Sequence, residues 1–214
     1  AQLIPSPEEI KRYPTYRATG LFKGILEREQ ALGVDSVVIE RAEREMGEIL
    51  RCTMQRLSPQ ERKDPLRVVE AISEVLAKDY KFKTGLQGSL AEGLASHHLD
   101  CDTLSYLYVE LGRHFGHDLH PYVGRLDIKA TDGSQLYHMV VGWKDSRGQQ
   151  MFWETTSQLT GEQLYRGLED FKQRWLARGY KLTTVSDSEQ TPKLYSLDDD
   201  FLLELVDNHL RNEP

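Results

Sequence analysis

The amino-acid sequence predicts an α+β domain in which helices come first, an antiparallel sheet lies in the middle and further helices follow. Apolar residues recur at helical spacing before residue 80 and after residue 160, whereas three strand-like runs separated by turn residues occupy 119–153. At 214 residues, the chain can bury a substantial core within one compact domain. We expect residues 1–80 to form an N-terminal arm and helical segment that pack on a core of residues 81–214.

The N-terminal part of the chain predicts helices that begin at recognisable caps. Prolines and glycines interrupt residues 1–34, which predict an irregular arm with short helical pieces. Apolar residues then recur at helical spacing over residues 35–56, which predicts a helix. Ser58-Pro59 and Asp64-Pro65 each place proline directly after an N-cap residue, so a helix is expected to begin at each pair.

The middle of the chain predicts a loop, a helix and a sheet. Glycines at 85, 88 and 93 indicate a loop-like region, and an amphipathic helix is expected from 101 to about 115, with Gly116 as its C-terminal stop. Turn residues separate the following apolar runs, which predicts antiparallel strands. The expected strands are 119–128, 135–143 and 149–153.

The last part of the chain predicts a return to helices. Thr160 and Gln163 fit a capping box for a helix that runs to about residue 178. A further strand is expected at 181–185, and Asp198 is expected to open a closing helix to about residue 210.

Composition excludes several classes of function. The chain is 39% hydrophobic and 29% charged, which is typical of a soluble globular protein. A net charge of −7 argues against a nucleic-acid binder, and no apolar run approaches the length of a membrane span. The chain starts at Ala1 rather than at methionine, which favours an exported, for example periplasmic, mature protein over a cytoplasmic one.

Cys101 is the candidate nucleophile. An unperturbed thiol of pKa ~8.5 is only about 3% thiolate at neutral pH, so a nucleophilic cysteine needs activation. A helix N-terminus favours negative charge by about 0.3–1 kcal/mol. The flanking Asp100 and Asp102 oppose this effect, although Asp100 also fits a plain N-cap. A protonated imidazole in contact with the sulfur is therefore required.

His138 is the best of the seven histidines for that role, because a strand beside the central helix would hold its ring rigidly. His114 would lie roughly 20 Å from Cys101, since a helix rises about 1.5 Å per residue. Glu154 follows the next strand, and a hairpin can bring it to His138 as the third member of a triad. The plainer alternatives are a half-buried structural histidine and an exposed acid at a strand end.

Other cysteines and histidines have simpler interpretations. Cys52 is expected to be a packed core residue, although an oxidising compartment would permit a disulfide with Cys101. His97 is spaced from Cys101 as a zinc ligand can be, but a zinc site needs at least three protein ligands and no second close pair exists. We therefore expect neither a metal nor a cofactor. The candidate residues for lining the cleft are His97, His98, Asp102 and Trp153.

These residues resemble the transglutaminase-like superfamily, the papain-like branch that includes bacterial transglutaminase-like cysteine proteinases. The resemblance rests on Asp-Cys-Asp around Cys101, on Tyr-His-Met-Val-Val around His138 and on Trp-Glu-Thr-Thr-Ser around Glu154, and it covers about residues 85–160. It implies a papain-like core in which a helix that carries cysteine packs on an antiparallel sheet. The family more often has aspartate at the third position, and Gln87 is the candidate for its oxyanion-stabilising side chain.

The resemblance implies a cysteine peptidase or amidase that attacks an amide bond of a protein or peptide substrate through an acyl-enzyme. A protein transglutaminase or deamidase would use the same three residues and differ only in the acyl acceptor. A non-catalytic binding module on the same fold is the alternative from another class. The acidic net charge favours basic or neutral partners at long range.

Overall fold

The computed structural model describes residues 16–85, 88–156, 163–186 and 188–212, the last five of them as backbone alone. Its architecture is α+β, as expected. In chain order the helices are α1 (Gly20–Ala31), α2 (Ser36–Gln55), α3 (Pro65–Glu74), α4 (Leu90–Ser96), α5 (Cys101–His114), α6 (Leu168–Ala177) and α7 (Asp199–Asn212). The strands are β1 (Lys83–Thr84), β2 (His98–Leu99), β3 (His120–Lys129), β4 (Gln135–Lys144), β5 (Gln150–Trp153), β6 (Leu164–Tyr165), β7 (Leu182–Thr183) and β8 (Tyr195–Ser196).

Helix α1 shows that the prediction of an irregular arm is wrong for the described residues after Thr19. Leu21, Phe22 and Ile25 of this helix are buried in the core. Gly24 does not break the helix, because it lies where α7 approaches. A Cβ at this position would come within 2.9 Å of Leu203 Cδ2. The glycine that suggested irregularity instead permits close packing of two helices.

Side-chain caps position most of the predicted helix starts. Asp35 accepts a hydrogen bond from Val37 N at 2.8 Å, and Asp64 accepts one from Leu66 N at 3.0 Å. After α3 the chain continues as a π-helix over Val75–Asp79. The helix expected at Ser58-Pro59 is wrong: only a 3-10 turn (Glu61–Lys63) forms, because the cap of α3 follows directly at residue 64.

The region that was expected to be loop-like contains helix α4. Ser89 and Glu92 form a reciprocal capping box at its start. Gly93 lies inside the helix, where a Cβ would come within 2.4 Å of Leu99 Cδ2 and 2.7 Å of the His98 carbonyl oxygen. Because Gly93 has no side chain, β2 can pass close to α4. The chain then continues directly into α5.

The main sheet confirms the three central strands to within one or two residues. Its order is β6-β5-β4-β3-β7, with β8 also pairing with β3, and its pairings are antiparallel. β1 and β2 form a separate parallel pair. The capping box expected at Thr160 lies outside the described residues. The following helix begins only at Leu168, because Leu164 and Tyr165 extend the sheet edge as β6.

The sheet separates two apolar clusters. Alternate residues of β4 belong to different clusters, since Met139 and Val141 join the main core and Val140 joins the smaller one. The main core also contains residues of α1 to α5, whereas α6 covers the smaller cluster. Within the described residues, no helix is both long and apolar enough to cross a membrane.

Candidate active site

Cys101 is the first residue of α5, and the start of this helix is firmly capped. Asp100 Oδ1 accepts a hydrogen bond from Thr103 N at 3.1 Å, and Asp100 N donates to Thr103 Oγ1 at 3.0 Å. Ser105, one turn later, donates to the Cys101 carbonyl oxygen at 2.6 Å. Cys101 is half-buried, and both it and Cys52 are free thiols. The sulfur therefore lies at a fixed point beside the sheet.

His138 of β4 and Glu154 after β5 meet through strand register. Val141 pairs with Trp153, and one further step places Glu154 opposite Val140. Glu154 is thus a diagonal neighbour of His138 on the same sheet face. His138 Nε2 lies 2.7 Å from Glu154 Oε2, and the imidazole also hydrogen-bonds with Cys101.

Glu154 is fully buried, and hydrogen bonds hold both of its carboxylate oxygens. The oxygen that does not contact His138 accepts from Thr156 N at 3.2 Å and from Thr156 Oγ1 at 2.7 Å. The backbone of Glu154 is fixed by Gln163, whose side chain donates to the Glu154 carbonyl oxygen at 3.0 Å. Glu154 N donates in turn to the Gln163 carbonyl oxygen at 2.8 Å. Together these hydrogen bonds hold the backbone and the carboxylate of Glu154 in place beside His138.

The electrostatics of the pair favour an imidazolium and a carboxylate. Burial lowers the pKa of His138, but the charge of Glu154 and the hydrogen bonds with Cys101 and Glu154 outweigh burial and raise the pKa from 6.5 to about 10. Burial likewise raises the pKa of Glu154, yet His138 and Thr156 hold it below its ordinary value. Both directions place the proton on His138 at neutral pH.

Asp100 and Asp102, on either side of Cys101, share one proton. Burial and the adjacent Asp100 raise the pKa of Asp102 well above its ordinary value. Burial also acts to raise the pKa of Asp100, but hydrogen bonds from Asp102 and Thr103 lower it. The pair therefore carries about one negative charge instead of two at neutral pH, which reduces its repulsion of a thiolate at Cys101.

The other sequence candidates lie elsewhere. His97 Nδ1 bonds with the Tyr80 carbonyl oxygen at 2.9 Å, and its ring stacks on Phe82 at 4.7 Å. His98 is exposed, and its Nδ1 bonds with the Ser96 carbonyl oxygen at 3.0 Å. Trp153 is buried in the main core rather than lining a cleft. Gln87 lies outside the described residues.

Trp175 of α6 is a site residue that sequence reasoning missed. Its ring centroid lies 4.3 Å from that of His138, so the indole covers the imidazole. Helical periodicity indicates that Trp175 faces inward, but it does not indicate which sheet residue Trp175 meets. Thr156 is different, because its position two residues after Glu154 is a local signal for a hydrogen bond to that carboxylate.

The described residues contain no group of three or more histidine, cysteine, aspartate or glutamate side chains arranged to hold a metal ion. The structure brings together a buried carboxylate and an imidazole in hydrogen-bond contact, and this imidazole also interacts with the thiol of Cys101. Comparison of the chain with protein-family models, curated proteins and solved structures finds no match.

Proposed function

We propose that the chain is a cysteine peptidase or amidase, in which Cys101 is the nucleophile, His138 the general acid–base and Glu154 the residue that orients the imidazole. The observation that carries the proposal is that His138 contacts Glu154 through Nε2 and also interacts with the side chain of Cys101. This is the arrangement that a Cys-His-acid triad requires. A cysteine at the start of a helix that packs on an antiparallel sheet also supports a transglutaminase-like, papain-like core.

Each residue has a defined step in this mechanism. The Cys101 thiolate, stabilised by the imidazolium beside it, attacks the carbonyl carbon of the amide. His138 then donates its proton to the nitrogen, the C–N bond breaks and the amine leaves. Water attacks the resulting thioester while His138 accepts a proton from it, and the acid product and the thiol are released. Glu154 stays ionised throughout and keeps the imidazole directed at the sulfur.

The oxyanion of the tetrahedral intermediate needs donors. The backbone N–H of Cys101 belongs to the first turn of α5, whose N–H groups have no acceptor within the helix. It would be one donor, and Gln87 is proposed as the other. Hydrolysis, deamidation and transfer to an amine share the acyl-enzyme, so the same three residues serve each of them.

The test is to incubate a peptide mixture with the wild-type chain and with the Cys101→Ala and Cys52→Ser variants and to analyse it by mass spectrometry. We expect new peptide termini with the wild type and with Cys52→Ser, and none with Cys101→Ala. Conversion of glutamine to glutamate would show deamidation, and cross-linked peptides would show transfer. Full turnover by a folded Cys101→Ala variant would refute the proposal.

A further inference from the structure

A cavity of about 740 Å³ opens between the start of α5 and β4. Asp100 and Asp102, the two neighbours of Cys101, line it, and so do Tyr137 and Met139, the two neighbours of His138. Its size is within the range of ligand-binding pockets. A molecule seated in this cavity therefore lies against the start of α5 and against the face of β4 that is opposite to His138.

The mouth of the cavity is apolar and exposed. Half of the eight large hydrophobic side chains that are exposed in the described part of the chain line this one cavity: Tyr137, Val185, Phe201 and Leu205. Further apolar residues from α1, β3 and α7 form the walls. Apolar side chains that cluster at the rim of a pocket mark a binding site, whereas scattered ones need no explanation.

The charged lining of the cavity is wholly acidic. Glu29, Asp100 and Asp102 line it, and no lysine, arginine or histidine does so within the described residues. Glu29 is buried and accepts hydrogen bonds from Leu90 N at 2.8 Å and Ala91 N at 2.9 Å. The one negative charge that Asp100 and Asp102 share, set among apolar walls, repels anions and attracts a cation that carries its own apolar stem.

We propose that the cavity binds an arginine or lysine side chain of a peptide, against the two residues that flank Cys101, and that the peptide chain leads from there to the amide bond that Cys101 attacks. These side chains combine an apolar stem with a terminal cation, which matches the apolar walls and the acidic groups. An apolar residue next to the basic one would contact Phe201 and Leu205 at the rim. The identity of the attacked bond rests on the proposed function, but binding of the side chain does not require catalysis.

The test measures binding without turnover, on the Cys101→Ala variant. The probes are acetylated dipeptide amides of phenylalanine followed by arginine, norleucine or glutamate, and the method is isothermal titration calorimetry. We expect the arginine peptide to bind about tenfold more tightly than the norleucine peptide, because it gains a charge-assisted hydrogen bond. The glutamate peptide should bind most weakly.

Further substitutions, made in the Cys101→Ala variant, test whether the peptide binds in this cavity. Asp100→Asn combined with Asp102→Asn keeps both side-chain shapes and the helix cap but removes the one charge that the pair shares. This variant should bring the arginine peptide to within about threefold of the norleucine peptide, since the charge-assisted bond is lost. Phe201→Ala removes an exposed ring and should weaken both peptides alike. Val37→Ala, an exposed apolar site on α2 away from the cavity lining, should weaken neither.

The outcomes separate the two proposals. An arginine preference without any amide turnover by the wild type would contradict the proposed function and keep the cavity assignment. Equal affinity for the arginine and norleucine peptides, or tighter binding of the glutamate peptide, would overturn the cavity assignment whether or not the chain cleaves amides. A preference that persists unchanged in the Asp100→Asn/Asp102→Asn variant would also overturn it.

Discussion

At the scale of single residues, the buried pair of His138 and Glu154 sets the charge state of the candidate site. Moving two charges out of water is costly, and removing one partner leaves the other charge without compensation. The structure offsets this cost with hydrogen bonds from Thr156 to the second carboxylate oxygen. These hydrogen bonds keep the carboxylate ionised and in contact with His138.

We predict that Glu154→Gln lowers amidase activity by about 10²–10⁴-fold, because an amide in place of the carboxylate no longer fixes the imidazole or stabilises its positive charge. Steady-state turnover of a peptide identified in the mixture experiment measures the effect. Glu169→Gln, the same acid-to-amide change at an exposed position of α6, serves as the control. Wild-type activity in Glu154→Gln would show that the carboxylate has no part in turnover.

The same pair predicts how stability depends on pH. Because folding raises the pKa of His138 from 6.5 to about 10, its contribution is complete below about pH 6.5 and is lost as the pH rises toward 10. The lowered pKa of Glu154 gives a contribution that is lost on acidification. Thermal unfolding at pH 6, 8 and 10 should show that the Tm of the wild type falls more steeply than that of Glu154→Gln. Parallel curves would contradict the assigned charge state.

The sequence was sufficient to predict that His138 and Glu154 meet but not how they are held. Residue type, order and strand register lead to Cys101, His138 and Glu154. The covering indole of Trp175 comes from α6, beyond any local pattern. The two hydrogen bonds between Gln163 and Glu154 also depend on the pairing of β6 with β5, whereas the sequence favoured a helix at this point.

At the scale of elements, α5 and the turn that follows it depend on close packing at Gly112. This helical glycine faces Leu119, just before β3, and a Cβ would come within 2.2 Å of Leu119 Cδ1. Gly47 on α2 is the control position, since its Cβ would lie 3.3 Å from Cβ of Tyr16, the first residue that the structure describes. Alanine raises helix propensity at both positions, but it creates a severe steric clash only at Gly112.

We predict that Gly112→Ala destabilises the chain by about 1–3 kcal/mol through overpacking. Gly47→Ala should be near neutral or stabilise by up to about 1 kcal/mol, because alanine favours the helix and the tyrosine can move slightly. Urea unfolding measures both changes. Equal effects of the two substitutions would show that packing against Leu119 does not limit this position.

Glycine explains where the element predictions failed. Gly24 and Gly93 were interpreted as interruptions of local structure, yet both lie within helices at points of contact with a distant segment. Local patterning cannot distinguish a glycine that bends the chain from one that admits a neighbour. By contrast, the starts of α2 and α3 were correct because Asp35 and Asp64 act within two residues.

At the scale of the whole molecule, the main core joins the N-terminal helices to the sheet that carries His138. Phe22 of α1 is fully buried and belongs to the same cluster as Trp143 and Trp153. We predict that Phe22→Ala lowers the free energy of unfolding by about 3–5 kcal/mol. The unfolding transitions followed by far-UV circular dichroism and by tryptophan fluorescence should shift to the same extent. A fluorescence transition that does not shift would show that the N-terminal helices and the sheet unfold separately.

The most direct measurement of the central claim is the rate at which iodoacetamide labels each cysteine at pH 6, followed by mass spectrometry. Cys52 is the internal reference, because burial raises the pKa of its thiol. A thiolate–imidazolium pair predicts labelling of Cys101 at least about tenfold faster than of Cys52, and loss of this advantage in His138→Ala. Equal, slow labelling of both cysteines in the wild type would contradict the account.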